Sequence, residues 1–191
     1  DTQELIDILD QYNVKATFFV VGDWVEKYPE SVKALSDAGH EVMSHSNHHD
    51  HFNTLSAQEI IDDLNACNDK IEAVTGVRPT LFRPPYGEYD DHVISTVRGM
   101  GIQPIQWDVD SLDWKDYDAA TITQRVTEKV GPGSIVLFHN AALHTPEALP
   151  GILEYLLGQG YSIVPVSQLV LSGEEGTDYT IDHTGRQCPL P

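Results

Sequence analysis

His45-Ser46-Asn47-His48-His49 sets two imidazoles four residues apart with a hydroxyl beside the first, a spacing that lets both rings close on one divalent metal ion. A bare His-x-x-x-His is also common in polar loops, so its chemistry depends on the residues that accompany it downstream. Three clusters occur there in order: Arg83-Pro84-Pro85-Tyr86-Gly87, Trp107-Asp108-Val109-Asp110-Ser111-Leu112-Asp113-Trp114, and Leu137-Phe138-His139. His48 and His51 crowd the first loop and read as solvent-facing neighbours. The two prolines after Arg83 hold the backbone extended and aim the guanidinium rigidly, as recognition of a carboxylate requires. Asp110 and Asp113 flank Ser111 and Leu112, and either can orient a histidine. Trp114 adds an aromatic wall of the kind that packs sugar rings. His139 closes an apolar run, a setting suited to a general acid, and Leu137, two residues earlier, points to the same side and can line a pocket for a methyl group.

These residues need a scaffold that brings them to one edge. Short apolar runs at 16–21, 41–44, 80–82, 102–106, 134–138 and 162–164 alternate with amphipathic helical patterns, the signature of repeated βα units around a parallel sheet or barrel. The clearest helix opens on the capping box Ser56-Ala57-Gln58-Glu59, carries Ile60, Leu64, Cys67, Ile71 and Val74 on one stripe, and stops at Gly76. Further helices are expected at 29–38, 90–100, 119–130 and 146–159, each followed by a glycine. On this scaffold His45, Arg83, Asp108, Asp110 and His139 all fall at or just beyond the C-terminal end of a strand, the rim that carries chemistry in βα barrels.

With 191 residues and 40% hydrophobic content, the chain is long enough for one domain with a full core. No stretch of about 18 apolar residues predicts a membrane span. The formal net charge of -19, with 11 scattered Lys and Arg residues, argues against nucleic acid or anionic lipid and favours an uncharged or cationic substrate. Cys67 and Cys188 form neither a disulfide framework nor a zinc-type cluster. The chain opens on Asp1-Thr2-Gln3-Glu4, a helix cap followed by Leu5, Ile8, Leu9 and Tyr12, so an upstream strand is expected to precede it. Residues 172–191, rich in Gly, Asp, Glu and Thr, read as a polar tail behind a domain at 1–171.

The order and spelling of the four clusters resemble the NodB-type polysaccharide deacetylases of carbohydrate esterase family four, over residues 1 to about 171. The resemblance implies an α/β fold, a distorted (β/α)7 barrel whose first strand is absent from this chain. His45 and His49 would be metal ligands with Ser46 supporting the loop. Arg83 would hold a catalytic aspartate, and the Tyr86 backbone would help to form an oxyanion hole. Trp114 would line the groove, Asp110 would tune the acid, Leu137 would wall an acetyl pocket, and His139 would be the general acid. The cofactor implied is a divalent metal, Zn2+ first, with Co2+ or Mn2+ as substitutes. The family's first motif, an Asp-Asp pair giving the general base and a third metal ligand, would lie on an upstream segment. The spelling from Trp107 to Trp114, and Phe138-His139-Asn140-Ala141-Ala142 followed by Thr145-Pro146-Glu147, resembles the sporulation-associated branch. The implied activity is metal-dependent hydrolysis of N-acetyl groups from a polysaccharide such as peptidoglycan or a chitin-like polymer, outside the bacterial cell or at its wall. The two rival expectations are O-deacetylation of xylan and a glycan-binding domain without catalysis.

Overall fold

The computed structural model describes residues 2–170, 179–182 and 187–190. Along the chain run α1 (Thr2–Gln11), β1 (Thr17–Val20), α2 (Gly22–Lys27), α3 (Pro29–Asp37), β2 (Glu41–Ser44), α4 (Ala57–Thr75), β3 (Leu81–Phe82), α5 (Asp91–Gly99), β4 (Gln103–Pro104), β5 (Val109–Asp110), α6 (Ala119–Thr127), β6 (Val136–Leu137), α7 (Thr145–Gly158), α8 (Val166–Leu169), β7 (Tyr179–Ile181) and β8 (Gln187–Pro189). Single 3-10 turns lie at Phe52–Thr54, Pro85–Gly87 and Asp113–Lys115. Two compact units are formed, one by Thr17–Gln106 and the other by Asp1–Ala16 with Trp107–Pro191.

In the Thr17–Gln106 unit the strands pair in chain order, β1-β2-β3-β4, all parallel. Helices must therefore carry the chain back between strands, and the sequence supplies them with explicit start and stop signals. Ser56 accepts from the Glu59 N–H while the Glu59 side chain accepts from the Ser56 N–H, and the helix ends on Gly76 at φ 75°. The α4 stripe buries Ile60, Leu64, Cys67 and Ile71. Ile60 and Leu64 meet Phe52, Phe82, Val93, Val97 and Ile102 in one core cluster. Each such side chain removed from water contributes about 1.5–3 kcal/mol. Cys67 donates to the Val20 carbonyl, and its burial pushes the thiol up to about 11, so it is a packing residue and no nucleophile.

The other unit pairs β5 with β6 in parallel, Asp110 opposite Leu137. Its core joins Val109 to Ile122 and Val126 of α6 and to Ala148, Ile152 and Leu156 of α7. The α1 helix buries Leu5, Ile6 and Leu9, and the Tyr12 hydroxyl just beyond it donates to Glu154 of α7 at 2.6 Å.

Several expectations change. Residues 102–106 pair only over Gln103–Pro104, whereas Val109–Asp110, expected in a loop, is a strand. The cause is a contact distant in sequence: Asp108 accepts from the Ile135 N–H at 2.6 Å and from the Ser134 hydroxyl at 2.8 Å, which draws Val109 alongside Val136. Residues 162–164 are not a strand; Ile163 packs on the core without joining a ladder, and the proline after Val164 has no N–H to extend one. Within the segment expected to be a polar tail, Tyr179–Ile181 pairs antiparallel with Gln187–Pro189. Neither Cys67 nor Cys188 is in a disulfide. The cap expected at Asp1 lies outside the described residues.

Candidate functional site

The residues with chemical potential fall into two groups, one in each unit. In the Thr17–Gln106 unit, β2 ends at Ser44 and His45 comes directly after it; the His45 N–H donates to the Val20 carbonyl, which prolongs the ladder to the base of the loop. The loop is then held by its own polar groups. Ser46 and His49 both adopt positive φ, 74° and 62°, and the buried Ser46 hydroxyl accepts from the His49 N–H at 2.8 Å. Holding two non-glycine residues there costs on the order of 1–2 kcal/mol each, and such strain persists where surrounding bonds over-determine it. Those bonds are present: Gly22 N–H donates to the Ser46 carbonyl, Asp23 N–H to the Asn47 carbonyl, and Asn47 N–H to Asp63 at 2.8 Å. Gly22 is required at this approach, since a Cβ there would overlap the Asn47 side-chain oxygen.

His45 donates its Nδ1–H to the Arg83 carbonyl at 2.7 Å, which places the lone pair on Nε2. Fixing a metal-binding imidazole through its other nitrogen is how such ligands are ordinarily oriented. The His45 and His49 rings stand 4.9 Å apart, centroid to centroid. Two imidazoles sharing one ion at an N–metal distance of about 2.1 Å and a near-tetrahedral angle have centroids roughly 5 Å apart, a separation that this pair matches. Among the described residues no group of three His, Cys, Asp or Glu is placed to hold one. His48 and His51 turn outward, His48 donating to Asp23 at 3.0 Å and His51 pairing with Glu88 at 2.9 Å. The Asp23 bond raises the His48 pKa.

Arg83 is buried behind β3; its guanidinium lies 4.4 Å over the Phe19 ring and donates to the Gln106 carbonyl at 3.3 Å. Burial pushes its pKa down to about 10, which leaves it charged at neutral pH. Pro84 and Pro85 lead into Tyr86, which sits at φ 60°, ψ 4°. The Tyr86 ring stacks on His51 at 4.2 Å and meets the His49 edge at 4.6 Å, so one of the expected oxyanion-hole residues touches one of the expected ligands.

In the second unit, Leu137 is buried on β6 and His139 lies two residues later, half-exposed. The carboxylate facing it is Asp113, not Asp110. His139 Nδ1 donates to Asp113 Oδ1 at 2.8 Å and the His139 N–H donates to Asp113 Oδ2 at 2.8 Å. Thr145 completes the cradle, its hydroxyl donating to Oδ2 at 2.6 Å. Burial alone would raise the Asp113 pKa, but the bonds from His139 and Thr145 outweigh it and hold the group below the ordinary carboxylate range. Asp110 is spent locally: its Oδ1 accepts from the Leu112 N–H at 2.9 Å, turning the chain so that Asp113 reaches inward. Leu112 itself takes φ 53°. Of the two aspartates, Asp110 was the one expected to tune the acid, whereas the carboxylate in contact with His139 is that of Asp113. The supporting contacts of Asp63 and Thr145 gave no signal, since each meets its partner across 16 and 32 residues respectively. Trp114 is exposed beside Asp113, with Lys115 over its ring.

Residues 1–105 match the family described as polysaccharide deacetylase. The chain is 39% identical over 168 residues to the peptidoglycan-N-acetylmuramic acid deacetylase PdaC of Bacillus subtilis, covering 88% of this chain and 35% of PdaC. It is 31% identical to the peptidoglycan-N-acetylmuramic acid deacetylase PdaA of the same organism, covering 91% of this chain and 67% of PdaA. Among solved structures, a CE4 family pseudoenzyme from Bacillus anthracis superposes with a TM-score of 0.85 at 38% identity, over 88% of this chain and 59% of that one. The chain thus spans about a third of PdaC and two thirds of PdaA.

Proposed function

Because the chain belongs to the polysaccharide deacetylase family, with the parallel α/β, barrel-like fold of its structural relatives, we propose that it hydrolyses N-acetyl groups of an amino-sugar polymer, peptidoglycan above all. The observation that carries this reading is the His139–Asp113 pair. A module that only bound glycan would have no use for a buried, ionised carboxylate gripping the Nδ1–H of a half-exposed imidazole; a proton donor has. The names of PdaC and PdaA support peptidoglycan as the polymer, and the spelling around Trp107 and His139 supports a sporulation-associated role at the cell wall. No described helix is long and apolar enough to cross a membrane.

His45 and His49 would hold the divalent cation, zinc first and cobalt or manganese as substitutes, with a third protein ligand from the family's first aspartate motif. When bound, the cation supplies Lewis acidity toward the acetyl carbonyl. Arg83 would orient the aspartate that takes the proton of the attacking water. The Tyr86 N–H would donate to the oxygen on which negative charge develops. His139 would pass the proton on Nε2 to the departing amine while Asp113 stabilises the imidazolium. Leu137 would wall the acetyl group, and the exposed Trp114 face would pack a sugar ring.

The test is release of acetate from N-acetylglucosamine oligomers and from acetylated peptidoglycan strands by the zinc-loaded protein carrying the family's first aspartate motif. A second reading is favoured by the similarity to a pseudoenzyme: a glycan-binding homologue without turnover. Oligomer binding with no acetate released from either substrate would establish that reading and end the first.

A further inference from the structure

Thr145 stands 32 residues from Asp113 in sequence, is buried, and spends its hydroxyl on the Asp113 carboxylate. Its bond of 2.6 Å is short, as expected for O–H donating to an ionised oxygen. Asp113 Oδ2 therefore receives two donors, the Thr145 hydroxyl and the His139 N–H, and Oδ1 receives the third, His139 Nδ1–H.

This pattern bears on where the His139 proton resides. Two forms of the neutral ring compete beside the ionised Asp113: hydrogen on Nδ1, donated to Oδ1 with the lone pair on Nε2, or hydrogen on Nε2, with the Nδ1 lone pair facing Oδ1. A donor on Oδ2 that keeps Oδ1 turned to Nδ1 penalises the second form, in which two lone pairs meet, and so favours the first. The amide donor comes from His139 itself and moves with it. The Thr145 hydroxyl is anchored on the first turn of α7, which packs on α6 in this unit's core. Without it, both remaining bonds run to His139, and the carboxylate can rotate about them.

We propose that Thr145 is a positioning residue, whose hydroxyl fixes the plane of the Asp113 carboxylate so that the neutral His139 ring keeps its hydrogen on Nδ1. The other charged and titratable groups on the surrounding elements are engaged elsewhere. Asp110 of β5 accepts from Leu112, Arg125 of α6 donates to the Asp110 carbonyl, His144 and Glu147 pair at the start of α7, and Lys115 lies over Trp114. The inference rests on the proposed acid role of His139 only for its effect on turnover.

The experiment is 15N NMR of the His139 imidazole above its pKa in the full chain, comparing wild type, Thr145→Ser and Thr145→Val, with circular dichroism as the check on folding. Wild type and Thr145→Ser are expected to show hydrogen on Nδ1. In Thr145→Val the ratio of the two forms should move toward hydrogen on Nε2 by about tenfold, the weight of one lost hydrogen bond to a charged group. If the valine variant fails to fold, Thr145→Ala, which adds no branch to the site, is read in the same way. An unchanged ratio in the variant lacking the hydroxyl, or wild type already carrying hydrogen on Nε2, overturns the proposal. In kinetics, kcat should fall about tenfold in Thr145→Val with KM unchanged, and the serine variant should recover it. A protein that carries the first aspartate motif and releases no acetate, but shows the NMR response, disproves the deacetylase reading and leaves the role of Thr145 standing.

Discussion

The two groups of candidate residues, one in each unit, are held by different means. Around His45 and His49 the loop is held at its peptide groups: strand-end peptides donate to neighbouring carbonyls, the Ser46 hydroxyl and the Asp63 carboxylate accept from the His49 and Asn47 N–H groups, and the His45 ring is fixed by a peptide oxygen. Around His139 the decisive bonds are made by side chains from separate loops, Asp113 and Thr145 closing on one imidazole. A loop fixed by its own backbone tolerates exchange of single supporting side chains, whereas a side-chain cradle loses its geometry with any one member. The difference suits the tasks proposed: a metal pair must converge before the ion arrives, and an acid needs a tuned partner more than a rigid loop.

The comparison is tested most severely by His45→Ala. Bound zinc should drop to the level of a buffer blank by elemental analysis, and deacetylation should fall by about a thousandfold or more. Zinc retained by a variant lacking both His45 and His49 would remove the metal assignment altogether. His139→Ala should lower kcat about a hundredfold, equivalent to about 3 kcal/mol, while zinc content stays at wild-type level. Loss of metal from this variant would show that the two groups do not divide the labour between metal and proton.

A finer test sets Asp113→Asn against Asp110→Asn. Since Asp113 acts through His139, its loss in turnover cannot exceed that of His139→Ala and is expected at roughly tenfold or more, with Asp110→Asn near wild type. The same pair reports on stability. The Asp113 pKa is held below its unfolded value, so its contribution is fully present above the ordinary carboxylate range and is lost as pH falls through the folded value. Urea midpoints should therefore separate wild type from Asp113→Asn at pH 7 and converge on strong acidification. A gap that widened in acid would contradict the assignment.

A small effect on the metal loop is expected for Ser46→Ala. It removes one of several bonds around the metal loop, so zinc affinity measured by competition with a chelator should weaken by only about tenfold. A loss as complete as that of His45→Ala would mean that a single side chain, and not the backbone, holds the loop.

The same division separates features legible in the chain from those that were not. The His45 and His49 spacing, the Pro84-Pro85 lead into Tyr86, the Ser56–Glu59 box and the Gly76 stop are local rules, in which residues a few positions apart decide geometry through short-range sterics and hydrogen bonds, and all four are seen in the structure. Periodicity likewise placed β2 and the buried stripe of α4. Whether Asp110 or Asp113 meets His139 turned on a left-handed Leu112 and an Asp110 side chain bonded to the Leu112 N–H, details that no alternation of apolar and polar residues encodes. The β5 strand depends on Asp108 finding Ile135, 27 residues away, and Thr145 acquires a role only when α7 delivers its first turn to Asp113. Local propensity thus determined the chemical alphabet and the elements that carry it, while the pairing of charges across long loops was left to tertiary packing, where the cost of an unpaired buried carboxylate selects the partner.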